Sequence, residues 1–240
     1  MESLEDYQAM LNLKGYREIW KYNHPRINFV LKKVKAHIKK ENSICEIGIG
    51  DGYLLKLLYS LNVNLTRIDK SAYLINELKK VFKSQRYEIE LIIADISKPL
   101  TFEMKNDIVF ALDILEHLKG EGIKQAVHNI YSLLKNDGLF VGTLPWKENI
   151  KNKMVKCPNC GEEFHRVGHY HSFHSLKDIN EMLNGYFKLI QIGFIKPKAL
   201  FSRINFELQK SFLSGLAYRL GLPTVSYTCY FIAKKKINYL

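Results

Sequence analysis

The sequence predicts an open, largely parallel α/β sheet with helices on both faces. Three observations predict it. Short apolar runs alternate with stretches of helical spacing along most of the 240-residue chain. A Gly-x-Gly turn, Gly48 and Gly50, stands where the first apolar run meets its helix. Carboxylates close the next runs, as in "NLTRID" and "EIELIIAD".

The elements follow in order. The first forty residues read as helices, and "RINFVLKKVKAHIKK" sets Ile27, Val30, Leu31, Val34 and Ile38 on one face with most lysines off it. "SICEIGI" is a strand and "GYLLKLLYSL" a helix. "NLTRID" is a strand and "SAYLINELKKVFK" a helix. "EIELIIAD" and "NDIVFALD" are strands. "GIKQAVHNIYSLLK" is a helix, "GLFVGTLP" a strand, "SLKDINEML" a helix and "YFKLIQIGFI" a strand. A helical segment near 200–220 precedes the closing strand "VSYTCYFIAKK". Seven strands separated mostly by helices require right-handed crossovers, which place helices on both faces.

A composition of 47% hydrophobic and 25% charged residues suits one globular domain over 1–240. Helices are expected over 1–41, with inserts at 147–174 and 197–222. Four cysteines are too few for a disulfide framework. Cys45 and Cys229 lie in apolar runs as buried thiols, and the expected compartment is reducing and cytoplasmic. The acidic start "MESLEDYQAM" has no signal-peptide character, and no apolar run is long enough to span a membrane. The net charge of +12 favours an anionic partner: nucleic acid, a phosphorylated metabolite or a membrane surface. No RNA-binding module or interleaved arginine/aromatic strand accompanies that charge, which argues against nucleic acid.

The turn "EIGIGDG" carries Glu46 and Asp51 beside its glycines. That acidity repels a pyrophosphate but suits a ligand bearing an ammonium group. A nicotinamide-dinucleotide fingerprint would need a third glycine at position 53, where the chain has Tyr53. Asp69 can hold the hydroxyls of a ribose. Asp95 can accept from an adenine amino group, with Ile96 packed on the ring.

Together "EIGIGDG", "RIDKS", "ADI" and "FALDILEHL" resemble the class I S-adenosylmethionine-dependent methyltransferases over roughly 24–145 plus the closing strands. The resemblance implies a Rossmann-like seven-stranded sheet in the order 3-2-1-4-5-7-6 with the last strand antiparallel. It implies S-adenosyl-L-methionine as cofactor. Gly48 and Gly50 would line its methionine part, with Glu46 supporting the loop near the amino group. Asp69 would take the ribose, Asp95 and Ile96 the adenine, and Leu112 the cleft wall. Arg26 would pair with the cofactor carboxylate.

Methyl transfer to oxygen also needs a proton removed. "DILEHL" follows the fourth strand, where this fold places the acceptor, and His117 is a candidate general base. The tract also resembles two metal-using branches, the ubiquinone-biosynthesis O-methyltransferases and the small-RNA 2′-O-methyltransferases. That resemblance makes Asp113, Glu116 and His117 candidate ligands, with His171 as a catalytic partner from the histidine-rich segment.

"CPNCGEEFHRVGHYHSFH" stands apart from the rest of the chain. Cys157, Cys160, His165 and His169 have spacing for one closed, structural Zn2+ site, with His171 and His174 as alternative fourth ligands. A four-ligand ion would staple a loop over the acceptor. The 197–222 insert mixes aromatic and basic residues, as a lid or a surface for peripheral membrane contact would. The expected activity is O-methylation of a small-molecule, glycan or lipid-linked acceptor. The alternatives are RNA methylation and a non-catalytic cofactor-binding scaffold.

Overall fold

A computed structural model of the chain describes residues 24–48, 50, 52–73, 75–76, 79, 89–183, 185–195 and 227–237. The expected helices before residue 24 and the 197–222 insert lie outside the described residues. The strands are β1 (Ser43–Ile47), β2 (Asn64–Asp69), β3 (Ile89–Ile93), β4 (Asn106–Leu112), β5 (Leu134–Trp146), β6 (Met154–Lys156), β7 (Glu163–His165), β8 (Phe187–Ile195) and β9 (Tyr227–Lys235). Seven of them form one sheet in the order β3-β2-β1-β4-β5-β9-β8. β1, β2, β3, β4 and β5 pair in parallel. β9 runs antiparallel to both β5 and β8. This is the expected order with its closing strand reversed.

The two-residue period of the strands sorts their side chains between two apolar layers. Cys45, Ile47, Val109, Ala111, Phe140 and Leu144 enter one layer, which Ala126, Val127, Ile130 and Leu133 of the helix Gly122–Leu133 cover. Ile44, Ile108, Phe110, Leu139 and Val141 enter the other. The helix Tyr53–Tyr59 covers that face with Leu54, Leu55 and Leu58. The helix over 24–34 adds Val30 and Val34, with Ile27, Leu31 and Ile38 partly buried beside them. Cys45 and Cys229 are buried thiols, as expected.

β6 and β7 form a separate antiparallel hairpin inside the 147–174 insert. This hairpin is not visible in the residue pattern, because strands of three residues are too short to show alternation. Among the described residues, no helix is long and apolar enough to cross a membrane.

Candidate active site

The C-terminal ends of the parallel strands meet at one edge of the sheet. Connections diverge between β1 and β4, and open α/β sheets hold ligands in the crevice at such a point. Gly48 leaves β1 there with φ +78. A Cβ on it would lie 2.1 Å from Cδ1 of Ile114. Backbone conformation and close approach both demand glycine. Gly50, at φ +51, keeps the turn left-handed. The loop is thus bare at 48 and 50, a cradle suited to the methionine part of the expected cofactor.

The neighbouring carboxylates are oriented by backbone. Ser71 N–H donates to Asp69 Oδ1 at 2.8 Å. Asp95 Oδ1 accepts from Ser97 N–H at 2.9 Å and from Ser97 Oγ at 2.6 Å. Burial opposes ionisation of Asp95, but the Ser97 bonds and then Lys70 and Lys98 outweigh it and lower its pKa. Ile96 is buried in the core, and Leu112 is half-buried at the end of β4. Glu46 lies opposite Arg67 in the β1–β2 register and is ion-paired with it. Arg67 is fully buried, so the Glu46 charge is matched inside the protein.

Arg26 reaches across the strand ends. Its Nη2 bonds Asp113 Oδ2 at 2.5 Å and its Nη1 bonds Thr228 Oγ1 at 2.9 Å. Its acidic partner in this structure is therefore Asp113. Asp113 adopts φ +55, a costly conformation for a residue with a Cβ. Thr143 holds it there, accepting from Asp113 N–H at 2.9 Å and donating to Asp113 Oδ1 at 2.8 Å.

The chain next turns through a short 3-10 helix, Leu115–His117. Glu116 is 1% exposed, and its Oε2 has no hydrogen-bond partner among the described residues. Burial and then Asp113 push its pKa well above the ordinary carboxylate value. His117 Nδ1 lies 3.1 Å from Gly168 O. A carbonyl only accepts, so this nitrogen carries the proton and Nε2 keeps the lone pair. Crowding by surrounding atoms, followed by His169, lowers the His117 pKa to about 4, although the residue keeps an exposed edge. Glu116, His117 and His169 each bring one ligand atom within 4.8 Å of the others. An orphaned buried carboxylate oxygen beside two imidazoles is a donor set that fits a borderline divalent metal ion.

The insert supplies His169. It leaves the sheet at Trp146 and returns at Phe173, where the two residues form a parallel bridge. Tyr170 and His171 both direct their N–H groups at Glu116 O, at 2.7 and 3.3 Å. That turn brings His169 to Glu116 and His117 in place of the expected His171. His171 joins neither carboxylate–histidine group, and its Nε2 is buried without a partner among the described residues.

The expected zinc set is not assembled. The hairpin register pairs Met154 with His165 and Lys156 with Glu163. His165 therefore sits at the open end, and the Cys157–Cys160 turn sits at the tip, roughly 10 Å away at about 3.3 Å per residue. Cys157 is buried and Cys160 exposed. His165 and His169 converge instead on Glu148, with one ligand atom of each within 4.8 Å of the others. His174 is exposed, and its N–H bonds Asp178 Oδ2 at the start of the helix Leu176–Met182. Glu148 is the acid that sequence reasoning missed. It is 3% exposed, and its Oε2 and Oε1 meet His169 Nδ1 and Lys153 Nζ, each at 2.5 Å. Burial opposes its ionisation, but His169 and Lys153 prevail and hold its pKa at about 2.

The sheet order is that of the Rossmann-like methyltransferase fold. Residues 44–138 match the family model described as methyltransferase domain. The chain is 28% identical over 150 residues to the ribosomal protein L11 methyltransferase of Staphylococcus haemolyticus, covering 61% of this chain and 46% of that protein. It is 26% identical over 121 residues to the ubiquinone biosynthesis O-methyltransferase of Rickettsia typhi, covering 50% and 48%. The chain thus spans under half the length of these two relatives. Among solved structures, it is similar to the 1,6-didemethyltoxoflavin-N1-methyltransferase of Burkholderia thailandensis, with a TM-score of 0.65 and 15% identity over 99% of this chain and 92% of the other. That structure contains S-adenosylhomocysteine.

Proposed function

We propose that the protein is an S-adenosylmethionine-dependent O-methyltransferase acting on a hydroxyl of a small-molecule, glycan or lipid-linked acceptor. Gly48 and Gly50 cradle the methionine part, Asp69 takes the ribose, and Asp95 takes the adenine. Transfer from a sulfonium is in-line displacement at carbon, so the protein mainly aligns donor and acceptor. The observation that carries the oxygen assignment is the meeting of Glu116, His117 and His169 just after the end of β4. A hydroxyl must lose its proton to become a nucleophile, and these are the groups that manage one. The same three residues would hold a divalent ion, which when bound supplies a positive charge that makes a neighbouring hydroxyl more acidic. The chain's own part is to fix the lone-pair nitrogens, exclude water with the insert, and keep Asp113 paired to Arg26.

The test is an acceptor screen with methyl-labelled cofactor, run on glycan and lipid extracts and on total RNA, with and without added divalent ions. Label should enter a hydroxyl of the extract and fall with His169→Ala. Efficient labelling of a defined RNA would favour the second reading, RNA methylation, which the +12 charge supports. Label on nitrogen or carbon that is indifferent to His169→Ala would overturn the oxygen assignment.

A further inference from the structure

We infer that Glu148 is the positioning residue of this site: its carboxylate fixes the tautomer and ring plane of His169. The inference deepens the reading above, but it stands on geometry of its own. Glu148 is buried at 3% exposure, where an ionised carboxylate must find hydrogen-bond donors. It finds His169 Nδ1 at 2.5 Å from Oε2. An ionised carboxylate only accepts, so the proton lies on Nδ1 and the lone pair is left on Nε2. His117 shows the same arrangement, its Nδ1 committed to Gly168 O at 3.1 Å. Two imidazoles beside the orphaned Glu116 oxygen thus have the same nitrogen spoken for. An outer partner on the second nitrogen is what sets the orientation and basicity of a histidine that binds a metal or takes a proton.

The rest of the insert clamps the same ring. His169 N–H donates to His165 Nδ1 at 3.0 Å. The His165 ring stacks on His169, with centroids 4.8 Å apart and planes 17° from parallel. The His117 ring meets it edge-on at 4.8 Å and 76°. Lys153 occupies Glu148 Oε1 and leaves Oε2 to His169.

A competing reading makes Glu148, His165 and His169 a second metal site, since their ligand atoms also lie within 4.8 Å of one another. The hydrogen bonds argue against it. His165 Nδ1 accepts from His169 N–H, so His165 carries its proton on Nε2, the nitrogen 3.8 Å from Glu148 Oε1. An imidazole nitrogen bearing a proton cannot bind a metal. Lys153 already neutralises that oxygen. Glu148 thus has each oxygen engaged, one by His169 and one by Lys153, and its role is orientation.

The decisive measurement is the tautomer of His169 in the full-length chain. It is read by long-range 15N–1H NMR at a pH where the imidazole is neutral. Wild type should carry the proton on Nδ1; a proton on Nε2 overturns the inference without any variant being made. Two variants then separate charge from orientation, with Co2+ alone as the probe. Glu148→Gln keeps an acceptor for Nδ1 and should keep both the tautomer and Co2+ affinity within about tenfold. Glu148→Ala should release the tautomer and weaken Co2+ binding by about 10–100-fold, the range for loss of an outer-shell partner. S-adenosylhomocysteine binding, measured on the same samples, should be unchanged and reports folding. Complete loss of Co2+ in Glu148→Gln with cofactor binding intact would make Glu148 a ligand and overturn the assignment. A wild-type chain with the Nδ1 proton but no Co2+ binding would keep the positioning role and remove only the metal reading of the site.

Discussion

Replacing Gly48 by alanine tests the cofactor loop most severely. Two costs can be worked from the structure. At φ +78 an L-residue carries about 1–2 kcal/mol of left-handed strain. The added Cβ would also stand 2.1 Å from Ile114 Cδ1. Such overpacking costs about 1–3 kcal/mol unless Ile114 moves. The single variant should therefore lose about 2–5 kcal/mol, divided between global stability and the population of the binding-competent loop. Trimming the partner in Gly48→Ala/Ile114→Ala should recover the steric part and leave the conformational part. Urea unfolding gives the first quantity, and calorimetric titration with S-adenosylhomocysteine gives the second. The four proteins of the cycle should show a coupling of about 1–3 kcal/mol. Additive single effects, or a Gly48→Ala protein with wild-type stability and affinity, would refute the argument that this position is closed to every side chain.

Further predictions follow from the same edge of the sheet. Asp69→Ala should weaken cofactor binding by about 1–3 kcal/mol, the cost of leaving charged hydrogen-bond partners unmade, without shifting the urea midpoint much. Arg67→Met should cost about 3–5 kcal/mol, because it breaks the buried ion pair with Glu46, and adding Glu46→Leu should restore much of the loss. Asp107 is held below its usual pKa because the Lys135 bond and the Ser43 N–H outweigh its burial. Its stabilisation is then complete above the unfolded-state value near 4 and disappears as pH falls through the lower folded value, so Asp107→Asn should flatten the acid limb of stability against pH. Cys160→Ser should leave cofactor binding unchanged, since the cysteine turn lies at the tip of the hairpin, away from His165.

The parallel sheet was legible because its strands are apolar runs with few polar interruptions, and β4, "NDIVFAL", needs no partner to be recognised. The placement of Gly48, Asp69 and Asp95 along one edge of the sheet was legible because each lies at a strand end or within two residues of one. The insert was read less well. Cys157, Cys160, His165 and His169 have a spacing that suits one ion, but spacing along a chain does not include strand register. A hairpin of three-residue strands carries the cysteines to one end and His165 to the other. Glu148 was invisible for a related reason. It is a lone acid in "PWKENI", and its meaning comes from His169, twenty-one positions later. The choice between His169 and His171 likewise depended on two N–H groups sharing Glu116 O, which no pattern of residue types records.

The central claim is that this domain binds S-adenosylmethionine at the Gly48 loop and carries its acceptor chemistry on separate residues. Calorimetric titration of the full-length chain with S-adenosylhomocysteine tests it most directly. One site per chain is predicted, weakened by Asp69→Ala and indifferent to His169→Ala. Absence of binding by a folded wild-type protein, or an affinity that depends on His169 and ignores Asp69, would contradict it.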